Sequence, residues 1–279
     1  MRRLPELVLA FPFLVVSAIL AQQPSGPPSA TPVATSAPQV ASTSPTLTPR
    51  ELAEVRGDVQ MARKMYREAI STYVQLAIQE PHNAILLNKI GVAYQQEGDS
   101  GHAGRYYKQA IKADKTYVSA LNNLGTVEYE KKHYGKSIHL YKQTLQFRAD
   151  TPTVATVYSN LGYAYFADKQ YAAAMDSFEK ALRLNPQVFD RHAGFGSIVQ
   201  QRAVEDPGLF YFLVAKSYAK AGDIEHCAHF LRMARDEGYK EFRSAQTDPS
   251  FVRVIKDPQI QEILQVPPPY AGTTRPQGL

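Results

Sequence analysis

The sequence predicts an all-α solenoid of about five helix–turn–helix units, closed at its C-terminal end by short helices. Three observations predict it. First, glycines recur at a fixed interval: Gly57 to Gly91 and Gly91 to Gly125 are both 34-residue steps, and Ala69–Ala103 and Tyr73–Tyr107–Tyr141 keep the same period. Second, Tyr158 to Pro186 reads as one complete unit, with Tyr158, Leu161-Gly162 and Tyr165 followed by Ala174, Phe178, Ala181 and Pro186. That is two short amphipathic helices with small residues where they must approach closely. Third, 44% hydrophobic residues and 17 tyrosines supply enough apolar surface to stack such hairpins.

The spacing of Tyr158, Leu161-Gly162, Tyr165, Ala174, Phe178 and Pro186 resembles the tetratricopeptide repeat, with Tyr158 in place of its tryptophan. The resemblance runs from about residue 50 to 239. It implies a right-handed solenoid whose first helices line a concave face that takes up peptides.

Four units are expected over 50–186. In the first, Ala69, Tyr73 and Pro81 keep the second helix, while Arg56 and Gln60 replace apolar residues of the first, as suits a terminal unit. The second has Leu87, Ile90-Gly91, Tyr94, Ala103, Tyr107 and Ala110. The third has Leu121, Leu124-Gly125, Ser137, Tyr141 and Thr144, with Glu128 where a tyrosine is expected. Three extra residues near Asp150-Thr151-Pro152 precede the fourth unit, a stop-and-restart signal. A fifth unit, 208–239, carries Tyr211, Val214-Ala215, Tyr218, Cys227, Leu231 and Ala234, each 53 residues after its counterpart. The 34-residue step therefore gains 19 residues, which fall within 187–207, an apolar-containing insertion with Phe189, Phe195 and Ile198. Asp248-Pro249 and Asp257-Pro258 are helix starts within the expected capping segment 240–266. The tail 267–279 is Pro/Gly-rich and reads as disordered.

Residues 1–21 combine Arg2-Arg3 with an apolar run from Leu7 to Leu20, which reads as a secretory signal peptide. The alternative is an uncleaved anchor; Pro12 and the short run argue against it. Residues 22–49 are almost entirely Pro, Ser, Thr, Ala and Gln, without charge until Arg50, and read as a disordered linker that reaches roughly 85 Å at most. The expected location is exported, in the periplasm or cell envelope or secreted. Membrane contact is expected only through the N-terminal segment, if it is retained.

Composition narrows the function. A formal charge of +5 without a Lys/Arg run does not indicate nucleic acid. The single cysteine, Cys227, excludes an intrachain disulfide. Gly101-x-x-Gly104 and Gly194-x-Gly196 complete no phosphate-binding pattern. No Ser/His/Asp or paired-carboxylate spacing is present, so no catalytic residue and no cofactor is expected. His226 and His229 flank Cys227 at helical spacing. A metal is geometrically possible there, but Cys227 holds a small buried position and reads as a core thiol.

The resemblance places the working surface on the first helices. Candidate groove residues are Asn88, Asn122, Asn123, Thr126, Tyr129, Ser159, Asn160, Tyr163 and Phe166, with Lys89, Val92 and Gln95 beside them. Asparagine amides can hold an extended main chain whatever its sequence. Asn123 and Asn160 match the position from which some family members form an asparagine ladder along a bound chain. Lys89 alone is placed to meet a carboxylate. The expected function is a non-catalytic scaffold for protein or peptide partners. A carbohydrate-binding module using groove tyrosines, and a metal-dependent enzyme using His226 and His229, are the alternatives.

Overall fold

The structure, a computed structural model, describes residues 47–189 and 204–266. The expected signal peptide at 1–21, most of the expected linker, the middle of the expected insertion and the tail 267–279 lie outside the described residues. Among the described residues there are eleven α-helices, two short 3-10 helices and no strand. They pair as five hairpins: α1 (Pro49–Ala62) with α2 (Tyr66–Gln79), α3 (Ala84–Glu97) with α4 (Ser100–Ala113), α5 (Val118–Glu130) with α6 (Tyr134–Thr144), α7 (Thr151–Ala167) with α8 (Tyr171–Leu184), and α9 (Pro207–Ala221) with α10 (Ile224–Asp236). No described helix is long and apolar enough to cross a membrane.

Caps set the helix starts. Thr48 and Glu51 form a reciprocal capping box on α1. Side chains of Asn83, Asp99, Asp150, Asp206 and Asp223 accept backbone N–H bonds at the starts of α3, α4, α7, α9 and α10. The turn residue inside each hairpin is left-handed. It is Gly98 or Gly222 in two hairpins and Lys64, Lys132 or Lys169 in the other three.

The glycine period has a steric cause. A Cβ on Gly91 would sit 2.5 Å from the Tyr107 ring, and one on Gly125 would sit 2.6 Å from the Tyr141 ring. Gly57 meets Tyr73, and Gly162 meets Phe178, in the same way. Each aromatic thus lies flat against the first helix of its own hairpin. The fifth hairpin exchanges both members, with Ala215 and Leu231 buried at the same 16-residue spacing. A larger first-helix residue is balanced by a smaller second-helix one.

The two ends differ. On α1, Leu52, Val55 and Val59 are about half exposed, so the N-terminal end shows apolar as well as polar side chains to solvent. The C-terminal end is covered. The 3-10 helix Pro249–Phe251 packs on α9, and α11 (Pro258–Gln265) packs on α10. Phe251, Val254, Ile260, Ile263 and Leu264 are buried there. Asp248 and Asp257 cap their segments as the Asp-Pro pairs predicted. A further 3-10 helix, Phe242–Gln246, carries no Asp-Pro signal and was not legible beforehand.

Val188 and Phe189, the first apolar residues of the insertion, are buried. The Phe189 ring meets Phe178 at 5.3 Å, Tyr163 and Tyr218 at 6.3 Å and Phe230 at 6.4 Å. The insertion therefore begins by filling the joint between the fourth and fifth hairpins.

Candidate binding groove

The first helices lie on the inside of the curve. α3 contacts α5, and α5 contacts α7, while the second helices α4, α6 and α8 make no comparable contact with one another. A groove of about 410 Å³ crosses this inner face, lined by Asn88 of α3, Ser119, Asn122 and Asn123 of α5, and Pro152, Thr153 and Thr156 of α7. Not one of these side chains is charged.

The asparagines of this face bond to each other. Asn160 Nδ2 donates to Asn122 Oδ1 at 3.0 Å, and Asn123 Nδ2 donates to Asn88 Oδ1 at 3.0 Å. A long contact of 3.5 Å from Asn122 Nδ2 to Asn123 Oδ1 joins the two pairs. An amide has two N–H donors and two acceptor lone pairs. The chain of bonds therefore leaves hydrogen-bonding capacity on Asn88, Asn122 and Asn123, which line the groove.

Tyrosine hydroxyls reach the same face from beneath. Tyr73 donates to Asp58 at 2.6 Å, Tyr107 donates to Gln95 Oε1 at 2.8 Å, and Tyr141 and Thr126 meet at 3.1 Å. Gln95 donates in turn to Glu130 at 2.8 Å. Lys89 Nζ donates to both Glu54 and Asp58 at 2.8 Å. Burial pushes the Asp58 pKa up, but the bonds from Lys89 and Tyr73 outweigh it and hold the carboxyl below its ordinary value. Lys89, the one cation placed for a partner's carboxylate, is thus already engaged.

Several expected groove residues are core residues instead. Tyr129 is 3%, Tyr163 1% and Phe166 5% exposed. Tyr163 stacks on Phe210 of α9 at 5.0 Å, and Phe166 meets the same ring edge-on at 5.6 Å. Tyr129 lies against Tyr134 at 5.5 Å. Phe210 of the fifth hairpin covers Tyr163 and Phe166, and Tyr134 lies against Tyr129, so these buried rings offer a ligand no surface. Desolvation also drives the Tyr163 pKa well above its ordinary value. The sugar-stacking alternative loses its platform with them. Thr126 is buried against Tyr141, and Ser159 and Asn160 are fully buried. Ser159 Oγ and Asn160 Oδ1 have no hydrogen-bond partner among the described residues. Of the nine expected positions, Asn88, Asn122 and Asn123 line the open groove.

Glu128, standing where a tyrosine was expected, is nearly buried and bonds His133 Nδ1 at 2.9 Å. The His226 region has a structural explanation. His226 stacks on Tyr218 at 4.8 Å and bonds the cap residue Asp223 at 2.8 Å. His102 does the same on Tyr94 at 4.8 Å and Asp99 at 2.6 Å. The repeat thus uses one Tyr–His–Asp arrangement twice. Cys227 is buried, and desolvation with the nearby Asp223 charge pushes its thiol up to about 12. Among the described residues no group of three or more His, Cys, Asp or Glu side chains is placed to hold a metal ion.

These features define an all-α hairpin solenoid with an uncharged amide groove on its inner face. Two family models described as Tetratricopeptide repeat match it, one over residues 84–117 and one over 117–187. Residues 84–187 of the chain are thus built of tetratricopeptide repeats. The Type IV pilus assembly protein PilF of Pseudomonas aeruginosa is 31% identical over 132 residues, 47% of this chain and 48% of that protein. The probable UDP-N-acetylglucosamine–peptide N-acetylglucosaminyltransferase SPINDLY of Hordeum vulgare is 28% identical over 138 residues, 47% of this chain and 14% of that protein. The chain thus spans less than half the length of these relatives. A crystal structure of MamA aligns at 21% identity with a TM-score of 0.46, over 66% of this chain and 95% of that chain.

Proposed function

We propose that this protein is a non-catalytic scaffold that holds an extended segment of a partner protein in the groove across α3, α5 and α7. The observation that carries this reading is the chemistry of the groove wall: amides, hydroxyls and one proline on three successive first helices, without a charge. Such a wall suits the peptide main chain, whose donors and acceptors repeat whatever the side chains are. The similarity to a pilus assembly protein over 132 residues supports a role in protein assembly. The apolar run Leu7–Leu20 after Arg2-Arg3 supports export, with residues 22–49 as a spacer. In this reading the protein works in the periplasm or outside a bacterial cell.

The test is crosslinking of the full chain to envelope partners, followed by the same experiment with Asn122→Ala/Asn123→Ala. Loss of the crosslinked partners by a variant with unchanged helical content is expected. Capture that is the same in both would overturn the groove reading. N-terminal sequencing of the cell-derived protein tests export independently: a mature chain starting near Gln22 is expected, and an intact Met1 in a cytoplasmic fraction would overturn it.

A further inference from the structure

The outer face of the second and third hairpins carries a separate feature. Helices α4 and α6 contain no Asp or Glu. On α4, Arg105, Lys108 and Lys112 are exposed at spacings of three and four, hence on one stripe. On α6, Lys136, His139 and Lys142 are exposed, each three apart. The two stripes are in register: His102 and Lys136, Arg105 and His139, and Lys108 and Lys142 are 34-residue counterparts. Arg105, Lys108, Lys112, Lys136 and Lys142 form no ion pair with any described residue. The pattern stops at both sides. The counterparts on α2 are Glu68, Ser71 and Val74, and those on α8 are Ala173, Asp176 and Glu179. A depression of about 500 Å³ runs along α6 between Gly135 and Gln146, with Ile138 at its floor and His139, Lys142 and Gln143 around it.

We infer that this outer face is a second docking surface, for an Asp/Glu-rich segment of a partner protein, on the side opposite the amide groove. Unpaired like charges held side by side on two adjacent helices repel one another, and a partner's carboxylates relieve that repulsion. The glutamines and the apolar floor suit a peptide's main chain and side-chain stems. A membrane surface fits less well, because no large apolar side chain is exposed on α4 or α6. Nucleic acid fits less well, because neither helix fully exposes a Phe, Tyr or Trp ring for base stacking and only one of the five permanent cations is an arginine. A second copy of this chain fits less well, because four carboxylates of its first two hairpins are already paired: Glu54 and Asp58 with Lys89, Glu80 with Arg50, and Glu97 with Arg67. With one face for a main chain and another for carboxylates, the scaffold would join two partners.

Fluorescence anisotropy of a fluorescein-labelled oligoglutamate with the full chain tests this. Binding is expected at about 0.1 M salt and is lost near 1 M, as the screening length falls from about 10 Å to about 3 Å. Lys108→Glu/Lys142→Glu should bind about tenfold more weakly. Lys240→Glu/Lys256→Glu, which makes the same change in net charge at exposed sites elsewhere, should bind as the parent does. Asn122→Ala/Asn123→Ala should also bind as the parent does, which keeps this surface distinct from the groove. No binding by the parent chain, or equal loss in both charge-reversed variants, would overturn the proposal. So would tighter binding to duplex DNA or to phosphatidylglycerol vesicles than to oligoglutamate.

Discussion

Asn123 donates its side-chain amide to Asn88 across two hairpins, at 3.0 Å and a separation of 35 residues. One residue more than the repeat period is the offset that brings a first-helix side chain over its neighbour in the preceding hairpin. Lys89 reaches Glu54 across the same 35 residues. Asn160 reaches Asn122 across 38, which is that offset with the three extra residues near Asp150. One geometric link is therefore used at three successive junctions, with charge at the first and amides at the next two. Because Asn88 is nearly buried, Asn123→Ala leaves its Oδ1 unbonded at a cost of about 1 kcal/mol. In a denaturant double-mutant cycle, Asn88→Ala should then cost little more, with a coupling of about 0.5–1.5 kcal/mol. Additive losses would show that the amides do not support each other.

Ser159 breaks the pattern of the other buried serines. Ser137, Ser177 and Ser217 donate to main-chain carbonyls at 2.8, 2.8 and 3.1 Å, whereas Ser159 Oγ has no partner among the described residues. A buried hydroxyl without a bond is a net cost. Ser159→Ala should raise stability by about 1 kcal/mol, read as a higher urea midpoint with an unchanged slope. A lower midpoint would mean that the hydroxyl is bonded in solution.

The glycine–aromatic pairs predict compensation. Gly162→Ala should drive a methyl into the Phe178 ring and cost about 1–3 kcal/mol. Phe178→Leu alone should also destabilise, since that ring meets Tyr163, Phe189 and Phe210. The double variant reproduces the Ala215–Leu231 pairing of the fifth hairpin and should be more stable than the sum of the two losses implies, by at least about 0.5 kcal/mol. Thermal or urea unfolding of the four proteins measures it. Strict additivity would contradict the steric account of the period.

This pair also shows what the sequence could reveal. Gly162 and Phe178 belong to one hairpin, so their contact is local and its spacing repeats; the all-α hairpin fold was legible for that reason. The partners of Asn123 and Asn160 were not, because a contact between hairpins depends on a one-residue offset that the period alone does not contain. The burial of Tyr163 and Phe166 was least legible. Phe189 and Phe210 cover Tyr163, Phe210 also meets Phe166, and both rings come from beyond the fourth unit, at the two ends of a stretch that breaks the period. The outer basic stripes were visible in principle as 34-residue counterparts, but a mild net charge hid them.

Acid should loosen the first hairpin first. Hydrogen bonds from Arg50 and Asn83 hold the Glu80 carboxyl down at about 2, and Asp58 also lies below its ordinary value once the bonds from Lys89 and Tyr73 outweigh burial. A carboxyl depressed in the folded state adds stability that is complete above its unfolded pKa, about 4.3 for Glu and 3.9 for Asp, and is lost as pH falls toward the folded value. The window is therefore from about pH 4 down to about pH 2. Both carboxyls are substantially exposed, so the effect should be modest and weaken with salt. Helix α1 has little else to rely on, since Gly57 is its one buried residue, and the core under this hairpin is a small cluster of Ala69, Tyr73 and Leu76 with Leu86 and Ile90. The fifth is anchored by Phe210, Phe212 and Phe230 in the large aromatic core. Hydrogen exchange, corrected for intrinsic rates, should show α1 and α2 losing protection at a higher pH than α9 and α10. Simultaneous loss across all five hairpins would show that these carboxylates do not set the acid limit of the N-terminal end.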